Sequence, residues 1–380
     1  MENKESSMIP AYVIKNSCEA EFQDTVRKWQ AAPSIEVTEL GRVYIVFYGG
    51  EAPEVPGNYV KVIISNDGGQ TFSENSVIVK HPSNEIRLYD PNLWIDPLGR
   101  LWLLWNQGRG FNDGRVGVWA SICCNPDAPF SELNFTEPRR IANGIMINKP
   151  LVLSSGEWLF PCAIWISEPP SEDHGLQDEY FSNVYVSYDQ GNSFSLLGHA
   201  DIPNRSFDEH MLYEKLDGSI WMLVRTFDGI GESFSFDKGR TWSIGQKSHI
   251  DGPCSRFFIR RLQSGRLFMV NHYQFQERID LADIQRQGPV KSWRGRTNLT
   301  ALISEDEGET WKGTLLLDAR NDAAYPDAVE RNGFIYITYD WERVKEREIL
   351  LAKITEEEIL AGKLSNPASF LAHIANKATG

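Results

Sequence analysis

The chain has 380 residues with a formal net charge of −14, and it contains no run of five or more basic residues. This charge balance argues against nucleic acid and anionic membranes as partners. No apolar stretch reaches the ~18 residues of a membrane span and no signal-peptide core follows the first residues, so we expect a cytoplasmic protein.

The cysteine and histidine spacings bear on redox state and metals. The five cysteines are an odd number and two of them are adjacent, which does not suggest a disulfide framework. No CxxC pair, HxxxH or EF-hand spacing occurs. We therefore expect reduced thiols, no protein-bound metal and no cofactor.

Six times along the chain, a short polar or proline-marked opening leads into an apolar run, and a glycine turn follows within about nine residues. The residues after each glycine are nearly all apolar, as in Leu101–Trp105 and Ile220–Val224. Such runs indicate strands buried on both faces, as in sheets that stack around an axis. The first residues of the six predicted inner strands, expected to converge at one mouth of a central channel, are Ala32, Asp90, Lys149, Glu209, Arg256 and Tyr325.

An eight-residue pattern, Ser-x-Asp-x-Gly-x-Thr/Ser-aromatic, recurs between strand-like runs. The four copies are Ser65–Phe72, Ser187–Phe194, Ser235–Trp242 and Ser304–Trp311. The pattern predicts hairpin loops in which the aspartate accepts hydrogen bonds from loop amides and the glycine supplies a positive φ. The aspartates are therefore predicted to be structural. A degenerate copy is predicted at residues 124–130.

The two repeats together predict an all-β, six-bladed β-propeller. We expect one domain over residues 1–380, with blades from about residue 28 to about residue 345. Residues 355–362 have the cap, acidic first turn and terminal glycine typical of a short helix. The tail after Leu364 is expected to pack against the last blade or to close the ring.

The aspartate loops on six blades resemble the sialidase (neuraminidase) superfamily, and the resemblance covers roughly residues 28–345. Members of that family open the fourth blade with an acidic residue, followed by an apolar run, an arginine and an aspartate loop, as Glu209 and Arg225 do here. Arg296, heading Arg-Thr-Asn-Leu-Thr, is similar to the arginine before the last loop. Tyr325, which opens the last blade, is similar to the nucleophile.

The resemblance implies roles for these residues. An uncharged tyrosine assisted by a glutamate suits attack on an anomeric carbon that bears a carboxylate, which implies Tyr325 and Glu209 as the nucleophile couple. Arg225 and Arg296 are implied to hold the substrate carboxylate, since the guanidinium fork suits planar anions.

Two residues of the family pattern are missing. Ala31 stands where the first arginine is expected, and no aspartate occurs between Asp24 and Asp67 to act as general acid. The candidate replacements for the acid are Glu51, Glu54 and Asp90. A rearranged carboxylate site is expected to use Arg87.

Four further residues are candidates for substrate binding. Lys149 and Arg256 are expected to add positive potential at the channel mouth, and Asp327 follows Tyr325 in the same strand opening. His210 is adjacent to Glu209, but neighbouring strand residues alternate faces, so a structural role is the favoured alternative.

The sequence thus predicts a sialidase-like exo-glycoside hydrolase that removes a terminal, acidic sugar from an oligosaccharide, with sialic acid as the first candidate. One alternative is a related glycosidase for a uronic or neutral sugar, because fold does not dictate substrate. The other is a non-catalytic, glycan-binding propeller.

Overall fold

The structure is a computed structural model that describes residues 6–15, 19–110, 113–165, 176–275 and 295–380. Within these residues, the strands form six antiparallel sheets, which we number as blades 1 to 6. Inner strand β2 of blade 1 contacts the inner strands of blades 2 and 6, which closes the ring. The predicted six-bladed β-propeller is confirmed.

The first three blades run from residue 12 to residue 200. Blade 1 has the order β1-β5-β4-β3-β2 and consists of β1 (Tyr12–Lys15), β2 (Trp29–Val37), β3 (Val43–Gly50), β4 (Tyr59–Ser65) and β5 (Ser76–Lys80). Blade 2 consists of β6 (Ile86–Ile95), β7 (Leu101–Arg109), β8 (Gly117–Cys123) and β9 (Arg139–Asn143). Blade 3 consists of β10 (Leu151–Val152), β11 (Trp158–Ala163), β12 (Ser182–Ser187) and β13 (Ser195–Ala200).

The remaining blades follow in chain order. Blade 4 consists of β14 (Arg205–Glu214), β15 (Ile220–Thr226), β16 (Gly229–Ser235) and β17 (Gln246–Lys247). Blade 5 consists of β18 (Phe258–Arg261), β19 (Leu267–His272), β20 (Leu299–Ser304) and β21 (Lys312–Asp318). Blade 6 consists of β22 (Ala323–Arg331), β23 (Phe334–Trp341), β24 (Glu348–Ile354) and β25 (Phe370–Lys377).

The C-terminal residues complete blade 6. Helix α1 (Glu356–Ala361) begins with a capping box in which the Thr355 side chain accepts from the Glu358 amide, and it ends at Gly362 with φ 67°. Strand β25 then pairs with β24, so the predicted helix and the predicted packing of the tail are both confirmed. No helix in the described part of the chain is long and apolar enough to span a membrane.

The aspartate loops connect the third and fourth strands of their blades and share one hydrogen-bond pattern. In the third blade, Asp189 Oδ1 accepts from the amides of Asn192 and Ser193 at 3.1 and 2.9 Å, and its Oδ2 accepts from the Ser193 hydroxyl at 2.6 Å. The same contacts recur around Asp67 and Asp237. These carboxylates hold their own loops and are remote from the chemistry described below.

The prediction that Ala32, Asp90, Glu209 and Tyr325 begin their inner strands is wrong, because these four strands start earlier, at Trp29, Ile86, Arg205 and Ala323. Each of the four strands instead carries a bulge near the predicted opening. The register between first and second strands shifts after Ala31, Tyr89, Asp208 and Ala324. At these bulges Ala32, Asp90, Glu209 and Tyr325 have φ values of 50°, 43°, 44° and 58°. Left-handed backbone at such residues costs roughly 1–3 kcal/mol each and is concentrated at functional sites.

Candidate active site

Tyr325 and Glu209 meet at the channel mouth, from the inner strands of blades 6 and 4. The Tyr325 hydroxyl donates to Glu209 Oε1 at 2.8 Å. Arg225, at the end of β15, donates from Nη1 to the same carboxylate oxygen at 2.8 Å and to the Tyr325 hydroxyl at 3.0 Å. The structure therefore brings together three residues that lie far apart in the sequence.

The protonation state of Tyr325 follows from its surroundings. Burial, and next the negative charge of Glu209, raise the pKa of Tyr325 above its usual value, although neighbouring arginines oppose this. The phenol is therefore neutral at physiological pH and needs a base to become a nucleophile. Glu209 is the carboxylate within hydrogen-bond distance.

Two buried atoms of this group have no hydrogen-bond partner among the described residues: Glu209 Oε2 and Arg225 Nη2. Arg225 is fully buried and is further held by a contact of 3.3 Å from Nε to Cys254 Sγ. Buried polar atoms are nearly always satisfied in folded proteins, so two unsatisfied ones beside a tyrosine are suited to a ligand.

Asp90 opens the inner strand of blade 2 beside a second group of charged residues. Glu54 Oε1 accepts from the Tyr48 hydroxyl at 2.6 Å, and its other oxygen accepts from Arg87 Nη1. Burial first, then the charges of Glu54 and Glu209, raise the pKa of Asp90 to about 7. Asp90 is thus suited to donate a proton near neutral pH.

Arg343, which the sequence analysis did not select, lies against Tyr325. Its guanidinium carbon is 3.9 Å from the centre of the Tyr325 ring. Nε and Nη2 pair with Asp340 Oδ2 at 2.9 and 2.7 Å. The same oxygen accepts from the Ala32 amide at 2.8 Å, so Arg343 is anchored to blade 1.

Arg296 is the third arginine near Tyr325. Its guanidinium carbon lies 5.3 Å from the centre of that ring. His272 is next to Arg296, and burial together with this cation lowers the pKa of His272 to about 3. The ring is therefore neutral, with Nδ1 placed 3.1 Å from the Thr297 carbonyl, and Arg296 supplies the local charge.

Two residues predicted from the sequence lie outside this group. The Glu51 side chain is 70% exposed and pairs with Lys28 on the surface. His210 is buried with Nε2 at 2.8 Å from the Asn183 carbonyl, and burial lowers its pKa to about 4. His210 is therefore neutral and bonded within its blade, which agrees with the structural role favoured above. Glu51 lies on the surface and is not placed to act as a buried acid.

Lys149 lies between blades 1, 2 and 6, and other residues of the protein bind its ammonium group. Its ammonium donates to the carbonyls of Ile35 and Leu93 at 2.7 and 2.6 Å. It also pairs with Glu36 and Asp327, each at 3.0 Å. All of its charge is met by blades 1, 2 and 6, so the structure does not bring Lys149 to the group around Tyr325.

Arg256 belongs to the same axial network. Nε donates to Asn148 Oδ1 at 2.8 Å, and Nη2 donates to the Ile147 carbonyl at 3.0 Å. Nη2 also lies 3.5 Å from Asp327 Oδ1. Because Lys149, Arg256 and Asp327 bind one another and the backbone, we assign them to holding the blades together rather than to substrate.

The residues that the sequence analysis missed come from loops. Glu54 was weighed only as an acid, and Arg343 was not considered. Both follow the second strand of a blade, β3 and β23 respectively. One sequence signal could have pointed to Arg343. The chain lacks the first arginine of the family pattern, and Arg343 is an additional arginine in the last blade, three residues after Asp340.

Across the described ranges, no group of three His, Cys, Asp or Glu side chains is placed to hold a metal ion. The ionisable groups described at this mouth include two phenols, four carboxyl groups and four guanidinium groups. They belong to Tyr48 and Tyr325, to Glu54, Asp90, Glu209 and Asp340, and to Arg87, Arg225, Arg296 and Arg343.

Comparisons with known proteins agree with the fold. Residues 58–337 match the family model described as a BNR repeat-like domain. No curated protein matches the sequence. Among solved structures, a Hadza microbial sialidase superposes with a TM-score of 0.62 at 15% identity, over 87% of this chain and 66% of that one.

Two other similar structures are intramolecular trans-sialidases. The leech enzyme, solved with 2,7-anhydro-Neu5Ac, has a TM-score of 0.64 at 12% identity, over 92% of this chain and 71% of that one. The enzyme from Ruminococcus gnavus has the same TM-score and identity, over 91% of this chain and 97% of that one. At these identities the likeness establishes the propeller fold.

Proposed function

The chain belongs to the family of BNR repeat-like domains, and from this premise we propose that it is an exo-glycoside hydrolase that removes a terminal acidic sugar, with sialic acid as the first candidate. The observation that carries the proposal is the contact of 2.8 Å between the Tyr325 hydroxyl and Glu209. A buried phenol paired with a carboxylate, under a bridging arginine, is an arrangement for nucleophilic catalysis.

The charges at the mouth support an acidic substrate. The mouth contains four arginines and four carboxyl groups. One of the carboxyl groups, that of Asp90, is protonated below about pH 7. The protonated site therefore has one positive charge in excess, which a monoanionic sugar balances. The buried, unpartnered Arg225 Nη2 is a further donor for such an anion.

In the first step, the Tyr325 oxygen forms a bond to the anomeric carbon as the bond from that carbon to the leaving oxygen breaks. The phenol proton passes to Glu209, and the Asp90 proton passes to the leaving oxygen. A neutral tyrosine avoids the repulsion that a carboxylate nucleophile would meet from the carboxylate of a sialoside.

In the second step, water attacks the same carbon and gives its proton to the Asp90 carboxylate. The bond to the Tyr325 oxygen breaks, and Glu209 returns the proton to the phenol oxygen. Each displacement inverts the anomeric carbon, so the sugar is released with its original configuration.

The test is hydrolysis of a panel of fluorogenic glycosides, led by the N-acetylneuraminic acid derivative and including uronic and neutral sugars. We expect release of an acidic sugar, and we expect Tyr325→Phe to lower kcat by about 10³-fold, since it removes the nucleophile. Tyr339→Phe is the matched control, because Tyr339 is a buried tyrosine of the same blade whose hydroxyl contacts Asp318 at 3.2 Å.

Calorimetric binding of the released sugar separates an enzyme from a binding protein. If wild type turns over no glycoside, and Tyr325→Phe binds sugar as well as wild type does, the catalytic proposal is wrong and the protein binds glycans only. Release of a neutral sugar alone would contradict the acidic substrate.

A further inference from the structure

The strand opening of blade 1 lacks a side chain that the other mouth-forming openings have. Ala32 occupies the left-handed bulge there, with φ 50°, and both it and Ala31 are completely buried. In the same positions of blades 2, 4 and 6 stand Asp90, Glu209 and Tyr325. Blade 1 therefore contributes a backbone amide to this mouth but no charged group from its opening.

Arg343 is joined to the opening of blade 1 through Asp340. Asp340 Oδ2 accepts from the Ala32 amide and from Arg343 Nε, at 2.8 and 2.9 Å, so one carboxylate oxygen joins the two. The arginine leaves blade 6 and lies against the opening of blade 1.

We infer that Arg343 is a specificity-determining residue that binds the carboxylate of the substrate and replaces the arginine that blade 1 lacks. The inference rests on the proposed function and adds to it the residue on which recognition of an acidic sugar depends. It also accounts for the failure of the sequence pattern at Ala31.

The geometry distinguishes Arg343 from an arginine that only anchors a loop. Asp340 accepts from Nε and lies 2.7 Å from Nη2, but Nη2 is buried and satisfies no hydrogen bond among the described residues. The side chain is 17% exposed, whereas that of Asp340 is 1% exposed. A guanidinium fixed by Asp340 therefore keeps one unsatisfied amino group, Nη2, and its carbon lies 3.9 Å from the centre of the Tyr325 ring.

The neighbours of Arg343 place the anion beside the reacting carbon. Arg225 donates to the Tyr325 hydroxyl at 3.0 Å, and Arg296 lies 5.3 Å from the ring centre. A carboxylate attached to the carbon that Tyr325 attacks lies within reach of all three guanidinium groups. Fixed arginines lose little entropy when they bind a planar anion, so this cluster favours a carboxylate over a neutral group of the same size.

The test compares two probes that differ by one charge, an aryl N-acetylneuraminide and its methyl ester. We expect wild type to prefer the acid in kcat/KM, and we expect Arg343→Ala to reduce this preference by about 10- to 100-fold, the value of a charge-assisted contact. Added methylguanidinium should restore part of the preference in Arg343→Ala. A purely structural role would lower kcat/KM for both probes equally.

Arg347→Ala is the matched control for disturbance of the loop. Arg347 lies in the same connection, between β23 and β24, but its Nη1 donates to the carbonyls of Lys28 and Gly380 at 2.9 and 2.8 Å. This variant should keep the preference of wild type for the acid.

The outcomes separate the two proposals. If Arg343→Ala discriminates acid from ester as wild type does, Arg343 is not the carboxylate-binding residue, although the hydrolase stands. If wild type hydrolyses both probes equally, the inference is wrong and so is the acidic substrate. If wild type neither hydrolyses nor binds either probe, both proposals fail for sialic acid.

Discussion

At the residue scale, the proposed mechanism requires Asp90 to be protonated. Burial and the charges of Glu54 and Glu209 favour the protonated carboxyl, although Arg87 opposes them. Because the pKa is raised to about 7, the proton is present below that pH and is lost above it. A general acid must hold its proton when the substrate arrives.

We therefore predict that kcat/KM falls as the pH rises through about 7, and that Asp90→Asn abolishes this decline. The variant should lose about 10²- to 10⁴-fold in kcat with a poor leaving group, and less with an aryl leaving group that needs no proton. The measurement is a pH–rate profile with both types of substrate.

Glu51→Gln is the control for this prediction, since Glu51 is an exposed carboxylate of the neighbouring loop. It should keep both the rate and the pH profile. If Asp90→Asn retains the decline near pH 7, another group is the acid, and Glu54→Gln becomes the variant to test.

The meeting of Tyr325 and Glu209 was accessible from the sequence because it depends on strand order. Both residues lie near the start of an inner strand, and a propeller brings such positions to one mouth. Arg343 and the pairing of Glu54 with Arg87 were not accessible in this way. They come from loops after the second strand of a blade, and strand periodicity does not determine where such a loop directs its side chains.

At the element scale, each aspartate loop also attaches its blade to the preceding one. Gly191 in the loop of blade 3 has φ 84°, and a Cβ there would lie 2.5 Å from the Trp102 ring of blade 2. Arg139 of blade 2 also donates to the Asn192 carbonyl at 2.8 Å. The glycine is thus needed for its backbone conformation and for the close approach of the two blades.

We predict that Gly191→Ala destabilises the protein by about 2–4 kcal/mol, because strain and overpacking add. Gly218→Ala is a matched control, since Gly218 has φ 83° and a Cβ there meets nothing within 4 Å. The difference between their unfolding free energies in urea measures the packing against Trp102. Equal losses would mean that only the backbone conformation matters.

These loops and helix α1 were predictable because their hydrogen bonds are local. An aspartate that accepts from amides three and four residues ahead, or a threonine that caps a helix, needs no knowledge of the rest of the chain. Residues 124–130, where a degenerate copy was predicted, lie between β8 and β9. Its Asp127 differs, however, since it accepts from the Thr38 hydroxyl of blade 1.

At the scale of the whole molecule, charged side chains on the axis join the blades. Asp327 of blade 6 accepts from the Ser34 hydroxyl and the Ile35 amide of blade 1, at 2.6 and 2.9 Å. It pairs with Lys149 before blade 3 and with Arg256 before blade 5. The sequence predicted that these residues lie near the starts of the inner strands, but it did not predict where their side chains point.

The direction follows from the backbone. Asp90, Glu209 and Tyr325 lie at bulges with positive φ, and their side chains are directed to the mouth. Lys149 and Arg256 have no positive φ, and their side chains contact Asp327 instead. A bulge of this kind in a residue other than glycine depends on packing across blades, so it could not be read from composition or periodicity.

We predict that Asp327→Ala destabilises the protein by about 3–5 kcal/mol, because it leaves Lys149 and Arg256 buried without their shared carboxylate. Unfolding in urea, followed by tryptophan fluorescence, measures the loss. Asp306→Ala is the comparison, since Asp306 is an exposed carboxylate whose hydrogen bonds stay within one loop, and its effect should be smaller.

A second variant at Asp327 tests whether the axial residues also bind substrate. If they act only by holding the blades together, folded Asp327→Asn should keep the KM of wild type at a temperature well below its unfolding transition, even though its stability falls. The amide oxygen can still accept from Ser34 and Ile35, while the charge is lost and an NH2 group replaces the oxygen near Arg256. A KM that rises tenfold or more in a fully folded variant would show that the axial charges reach the substrate and would restore the role that the sequence predicted for Lys149 and Arg256.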